Sequence, residues 1–226
     1  MADALLQTVP LGSGGVGTNQ IPNTGPALGN ICYDAVHDQL FVSNLEDGKI
    51  YRLDMTGTIL SIHDPFAPDP SIPGFARLGE RVWAVQRFGD RLYYSVWLRD
   101  GGRTSTPWNP AAGAAPPNPN NAIFSIAIDA AGGDFSGPDT LEIVVPYFYA
   151  NPGYSNPVAD IAFNDSGNMV LAERTMNADF GQIDLGHSAR VLEYSFNGSW
   201  VPSGSTYQVG STFNAAANMY ANSSGG

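Results

Sequence analysis

The chain has 226 residues, of which only 14% are charged, with 21 acidic against 10 basic side chains and a net charge of −11. Such a charge repels phosphate backbones, which bind through Lys and Arg, and so excludes nucleic acid and an anionic membrane surface as partners. A single cysteine, Cys32, excludes an intrachain disulfide and a cysteine-based zinc site.

No stretch reaches the roughly 18 apolar residues of a membrane helix, so no membrane insertion is expected. Met1-Ala2-Asp3-Ala4 lacks the basic start and long apolar core of a signal peptide. Abundant Gly (26) and Pro (17) fit many strands joined by turns. One lysine, Lys49, among many Asn, Ser, Thr and Gly leans toward an extracellular or cell-surface protein, of which this chain would be a trimmed piece.

In chain order, residues 1–26 read as one strand (5–11) and a Gly-rich linker. Gly12-Ser13-Gly14-Gly15-Val16-Gly17 fits a dinucleotide fingerprint, but the loop Thr18-Asn19-Gln20-Ile21-Pro22-Asn23 follows where a helix must begin. Residues 27–66 form the first repeated unit. Its strands are Asn30-Ile31-Cys32-Tyr33-Asp34 and Leu40-Phe41-Val42-Ser43-Asn44 around His37-Asp38, then Ile50-Tyr51-Arg52-Leu53 and an outer strand at 58–62.

Residues 78–148 form the second unit. It aligns Val82-Trp83-Ala84-Val85-Gln86 and Leu92-Tyr93-Tyr94-Ser95-Val96 around Gly89-Asp90, with Trp83 matched to Ile31. A long insertion at 99–121 precedes Ile123-Phe124-Ser125-Ile126, and an acidic turn at 129–139 leads to an outer strand at 140–145.

Residues 157–210 form the third unit. Asp160-Ile161-Ala162-Phe163-Asn164 and Met169-Val170-Leu171-Ala172-Glu173 flank Asp165-Ser166-Gly167. After an insertion at 174–188 come Val191-Leu192-Glu193-Tyr194 and an outer strand at 200–209. The tail, 211–226, holds at most a short turn at 213–220.

Apolar residues alternate with the strand period of two, and each hairpin closes on a tight polar turn. Repetition of a four-stranded antiparallel unit predicts an all-β chain of about three consecutive propeller blades, an incomplete ring.

Antiparallel pairing sets the start of each first strand beside the end of each second strand. Asn30, Asn44, Asp160 and Glu173 therefore share one end of the sheets with every long insertion. Function concentrates on loops held by a rigid scaffold, so the ligand-face candidates are Asn30, Asn44, Trp97, Trp108, Tyr154, Asp160, Glu173 and Arg174. Asp160 and Glu173 are the candidate metal ligands, and their oxygen donors suit a hard cation such as calcium. No catalytic residue is singled out.

The first unit, with Asp47-Gly48-Lys49-Ile50-Tyr51-Arg52-Leu53-Asp54, resembles blades of the NHL and gluconolactonase-like propellers. The third, with Asp165-Ser166-Gly167-Asn168-Met169-Val170-Leu171-Ala172-Glu173-Arg174, resembles blades of large secreted or surface bacterial proteins of SdrD-like architecture. The resemblance spans residues 31–210, and blade grammar specifies fold more than function. Gluconolactonase-like enzymes hold a divalent cation with Glu, Asn and Asp around the channel, and that motif finds no residue-by-residue match here.

The expected function is a non-enzymatic extracellular binding, adhesion or scaffold module with a protein or glycan partner. Its open blade faces would meet further blades or self-associate. The alternative is a calcium-dependent hydrolase or lactonase.

Overall fold

The computed structural model describes residues 28–45, 47–66, 81–97, 120–146, 156–174 and 190–204, together with strands at 213–214 and 219–220. Twelve strands form three antiparallel sheets, each ordered as in the sequence. Sheet 1 holds β1 (Leu28–Asp34), β2 (Gln39–Asn44), β3 (Lys49–Asp54) and β4 (Ile59–His63). Sheet 2 holds β5 (Arg81–Phe88), β6 (Arg91–Trp97), β7 (Ala122–Ile128) and β8 (Phe135–Val144). Sheet 3 holds β9 (Val158–Phe163), β10 (Met169–Glu173), β11 (Val191–Phe196) and β12 (Trp200–Pro202). A separate pair, β13 (Phe213–Asn214) and β14 (Met219–Tyr220), follows, and no helix occurs among the described residues.

The sheets stack in sequence because alternate residues face opposite neighbours. Cys32, Phe41 and Ile50 of sheet 1 pack against Val82, Val85, Leu92, Tyr94 and Ile126 of sheet 2. The other face of sheet 2, with Ala84, Tyr93 and Ile123, packs against Ile161, Met169, Leu171 and Tyr194 of sheet 3. Each sheet thus has a forward face toward the next sheet and a backward face toward the previous one. First strands β1, β5 and β9 are mutual neighbours, and Asn30 of β1 reaches Asp160 of β9 at 2.8 Å. This is the arrangement of consecutive propeller blades with their first strands innermost.

A repeated serine fastens the sheets. Ser43 Oγ accepts the Asn30 N–H at 2.8 Å and donates to the Trp83 carbonyl of the next sheet. Ser95 Oγ accepts the Ala84 N–H at 2.8 Å and donates to the Val158 carbonyl at 2.7 Å. Each hydroxyl serves a first strand whose register shifts beside it, where the ladder alone would leave that N–H without an acceptor. β1 runs so close to β5 that a Cβ on Gly29 would strike Ser43 Oγ and the Trp83 carbonyl. Removing the hydroxyl in Ser95→Ala orphans a buried N–H and a buried carbonyl. The expected loss is about 1–3 kcal/mol, read as a lower urea midpoint with unchanged slope.

The register of the second unit, the start of β8, the segment 213–220 and the end of β12, which stops at Pro202 where a strand to 209 was expected, differ from expectation. The partner of Leu171 is Ile161, that of Val42 is Ile31 and that of Tyr94 is Val85, so Val85 and not Trp83 is the counterpart of Ile31. The cause is turn length: Phe88 pairs with Arg91 across two residues, whereas Asp34 pairs with Gln39 across four. Gly89 leads that short turn with a φ of +61°, as two-residue hairpins with glycine in first position require. β8 begins at Phe135, earlier than the acidic turn suggested, and 213–220 holds a strand pair instead of a turn. The expected strand at 5–11 lies outside the described residues.

Candidate functional site

Every first strand starts, and every second strand ends, at one end of the three sheets. The opposite end is closed by short turns: 35–38, 55–58, 89–90, 129–134, 164–168 and 197–199. The long connections 98–121, 175–189, 67–80 and 147–155 all join strand ends at the first end. Trp108 and Tyr154 belong to these connections and lie outside the described residues.

At this mouth the two carboxylates point apart. Asp160 pairs with Ala172 and shares the forward face with it, while Glu173, next along β10, turns to the backward face. Asp160 Oδ1 accepts from the Asn30 side-chain amide at 2.8 Å and from the Ile161 N–H at 3.0 Å. Glu173 is buried. Arg190 Nε donates to its Oε2 at 2.6 Å and Nη2 to its Oε1 at 2.5 Å, a bidentate fork. Asn156 donates a third bond at 3.2 Å, and Arg190 Nη2 also bonds the Pro146 carbonyl at 2.7 Å. Burial pushes the Glu173 carboxyl above the usual carboxylate range, against the pull of the Arg190 fork. Its oxygens are taken by a protein cation that ties sheet 3 to the end of β8.

Asn44 is buried at the end of β2 and hydrogen-bonds into a second polar knot, made of Asp47 and Tyr51. Tyr51 donates to Asp47 Oδ2, and Asp47 Oδ1 accepts the Lys49 N–H at 3.0 Å. Burial raises the Asp47 carboxyl and, with the neighbouring carboxylate, the Tyr51 phenol. Trp97, expected on a wet loop, ends β6 at 3% exposure and packs on Trp83 with ring centroids 5.8 Å apart. The bulky apolar end of β6 is drawn inward by that partner. Arg174 is exposed and donates its backbone N–H to the Pro157 carbonyl at 2.9 Å. The mouth thus brings Asn30 and Asp160 together, and it separates Asn44 and Glu173 into two buried knots.

Among the described residues, no group of three or more His, Cys, Asp or Glu is placed to hold a metal ion. A further polar network sits at the other end, between sheets 1 and 2. Asp34, fully buried, meets His37 Nδ1 at 2.6 Å, Gln39 Nε2 at 3.0 Å, the Val36 N–H at 3.0 Å and Arg87 Nε at 3.0 Å. Gln39 and Arg52 extend it to the carbonyls of Gly133 and Gly132 in the β7–β8 turn. Sequence reading placed His37 correctly in a turn; its partners lie on two sheets, which no local pattern announces.

Cys32 is buried and accepts the Arg87 N–H at 3.1 Å, the role of a small core residue. Burial raises its thiol pKa, which opposes nucleophilic use. Compared with known proteins, the chain matches no family model and no curated sequence.

Proposed function

We propose that the chain is a non-enzymatic, extracellular binding or adhesion module that recognises a protein or glycan through the loops at the mouth of its sheets. The blade type resembles NHL and gluconolactonase-like propellers, in the setting of a bacterial surface protein. One observation carries the reading: every long connection leaves from one end of a framework whose other end is closed by short turns. Rigid scaffolds with loops gathered at one end are suited to recognition. The loop residues include Trp108 and Tyr154 beside Pro, Asn and Gly, a composition of large contact area and adaptable hydrogen bonding.

The carboxylates of the mouth serve the framework: Glu173 is held by Arg190 and Asn156, and Asp160 by Asn30. A calcium-dependent lactonase would have to free Glu173 from its guanidinium. The test is binding to arrays of immobilised glycans and extracellular-matrix proteins, with calcium and again with chelator. The expected result is a signal that survives chelation and falls at least tenfold in Trp108→Ala or Tyr154→Ala, with unfolding midpoints unchanged. No signal above control, or calcium-dependent hydrolysis of a lactone by the parent protein, overturns the reading.

A further inference from the structure

The run Phe163-Asn164-Asp165-Ser166-Gly167-Asn168-Met169, which turns β9 into β10, recurs in the tail as Phe213-Asn214-Ala215-Ala216-Ala217-Asn218-Met219. Phenylalanine, both asparagines and methionine keep their places. In the first of the two runs the asparagines build the turn. Asn164 Oδ1 accepts the N–H groups of Ser166 and Asn168, each at 3.0 Å. Asparagine specifies a turn of this kind locally, through its own neighbouring backbone. Its recurrence therefore marks a second hairpin of the same class.

The tail carries the strands that such a hairpin requires. β13 and β14 pair antiparallel, Asn214 with Met219 and Phe213 with Tyr220. Four residues join Asn214 to Met219, as four join Asp34 to Gln39 in sheet 1, whereas five join Phe163 to Met169 in sheet 3. Aligned with either sheet, Phe213 takes the register position of Tyr33, Arg87 and Phe163. From that position a first strand faces the preceding sheet.

Sheet 3 has an uncovered face for it. Phe41 and Ser43 of sheet 1, and Tyr93 and Ser95 of sheet 2, are buried under the sheet that follows. Their counterparts in sheet 3, Val170 and Ala172, are only half-buried. Ala162, the counterpart of the buried Cys32, is exposed.

We propose that residues 211–222 are the inner hairpin of a fourth unit, and that the forward face of sheet 3 is their docking surface within the same chain. Continuity with two existing interfaces names this occupant. Each covered forward face meets the first two strands of the next unit in sequence, and β13 and β14 are the next two strands. The connection allows it: residues 203–212 lead from β12 to β13, close in length to residues 145–157 between β8 and β9.

The existing contacts also predict where the two surfaces meet. Cys32 on a forward face accepts the N–H of Arg87 on the next sheet. By register, Ala162 then lies against the backbone of Phe213. Ser43 and Ser95 each donate across to the following sheet, and at their position sheet 3 has Ala172. The third contact therefore lacks the hydroxyl bridge and opens more readily than the other two.

The test is hydrogen–deuterium exchange of the full chain, read by mass spectrometry on peptides from each sheet and from 211–222. In the parent, 211–222 should exchange at least tenfold more slowly than the same sequence as a free peptide. Ala162→Arg should abolish that protection and leave sheets 1 and 2 protected as before, because an exposed position tolerates the larger side chain. Ala172→Ser supplies the missing hydroxyl and should slow exchange at 211–222 about fivefold, the worth of one hydrogen bond. Free exchange of 211–222 in the parent overturns the proposal, as does protection that survives Ala162→Arg. Exchange in Ala172→Ser no slower than in the parent overturns it too. Protection that falls on dilution would seat the hairpin on another copy, and equally overturns it.

Discussion

Replacing Arg190 with alanine is expected to remove about 3–5 kcal/mol of folding stability, the usual effect of stripping one partner from a buried ion pair. Glu173 then keeps its burial and loses both arms of the fork, leaving Asn156 as its side-chain donor. In a domain of this length each kcal/mol lowers the unfolding midpoint by roughly 2–4 °C, so the fall should be on the order of 10 °C. Arg190→Lys should recover little, because an ammonium cannot make two parallel bonds and also reach the Pro146 carbonyl. Removing both charges in Glu173→Leu with Arg190→Met should return much of the loss, since no unpaired charge then remains buried. Thermal and urea unfolding of the three variants beside the parent decide it. An Arg190→Ala midpoint within a degree or two of the parent would show that Glu173 has water or another cation available, and would reopen its use as a metal ligand.

The strands were legible because their signals are local. Period-two alternation at Ile50–Leu53, Ile123–Ile126 and Val191–Tyr194 locates β3, β7 and β11, and polar turns at 37–38, 89–90 and 165–167 locate the hairpins. Strand polarity alone put Asn30, Asn44, Asp160 and Glu173 at one end, which holds. What those residues do was hidden by distance. Asn30 and Asp160 are 130 residues apart, and Arg190 follows Glu173 only after a long connection, so nothing in the sequence links donor to acceptor.

The two-residue slip at Trp83 has a related cause. A shift of two preserves which face each side chain takes, so the apolar pattern fits either alignment and only turn length separates them. Trp97 was misplaced for another reason: an aromatic at a strand end beside a long insertion looks wet until Trp83, on the neighbouring strand, is seen against it.

The contact between sheets 1 and 2 at the closed end should depend on pH, with Asp34 and His37 setting its limits. His37 Nδ1 faces Asp34 Oδ2 at 2.6 Å, and Nε2 faces the Ala130 carbonyl at 3.2 Å. Both neighbours are oxygens, so the ring satisfies both only as imidazolium, with a proton on each nitrogen. The Asp34 hydrogen bond accordingly raises the His37 pKa above the ordinary 6.5. A raised histidine stabilises the fold fully below the ordinary value, and that share fades as pH rises through the folded value. Burial works against the Asp34 charge, but His37, the Val36 N–H, Arg87 and Gln39 outweigh it and hold its pKa below 3.8. Its share is therefore present above the ordinary value and disappears as pH falls through the folded one. Other charges near the ring are Arg52 and Asp134, paired at 3.6 Å, and Asp129, which caps the Gly132 N–H at 2.6 Å. The contact should be tightest between about pH 4 and pH 6.5. Asp34→Ala should cost about 3 kcal/mol at pH 6, because Arg87 loses its buried countercharge and Gln39 an acceptor. His37→Asn should flatten the alkaline side of the stability profile and leave the acid side in place. Urea midpoints from pH 3 to 9, with the His37 ring titration followed by NMR, check both. An alkaline limb that persists unchanged in His37→Asn would assign it to another group.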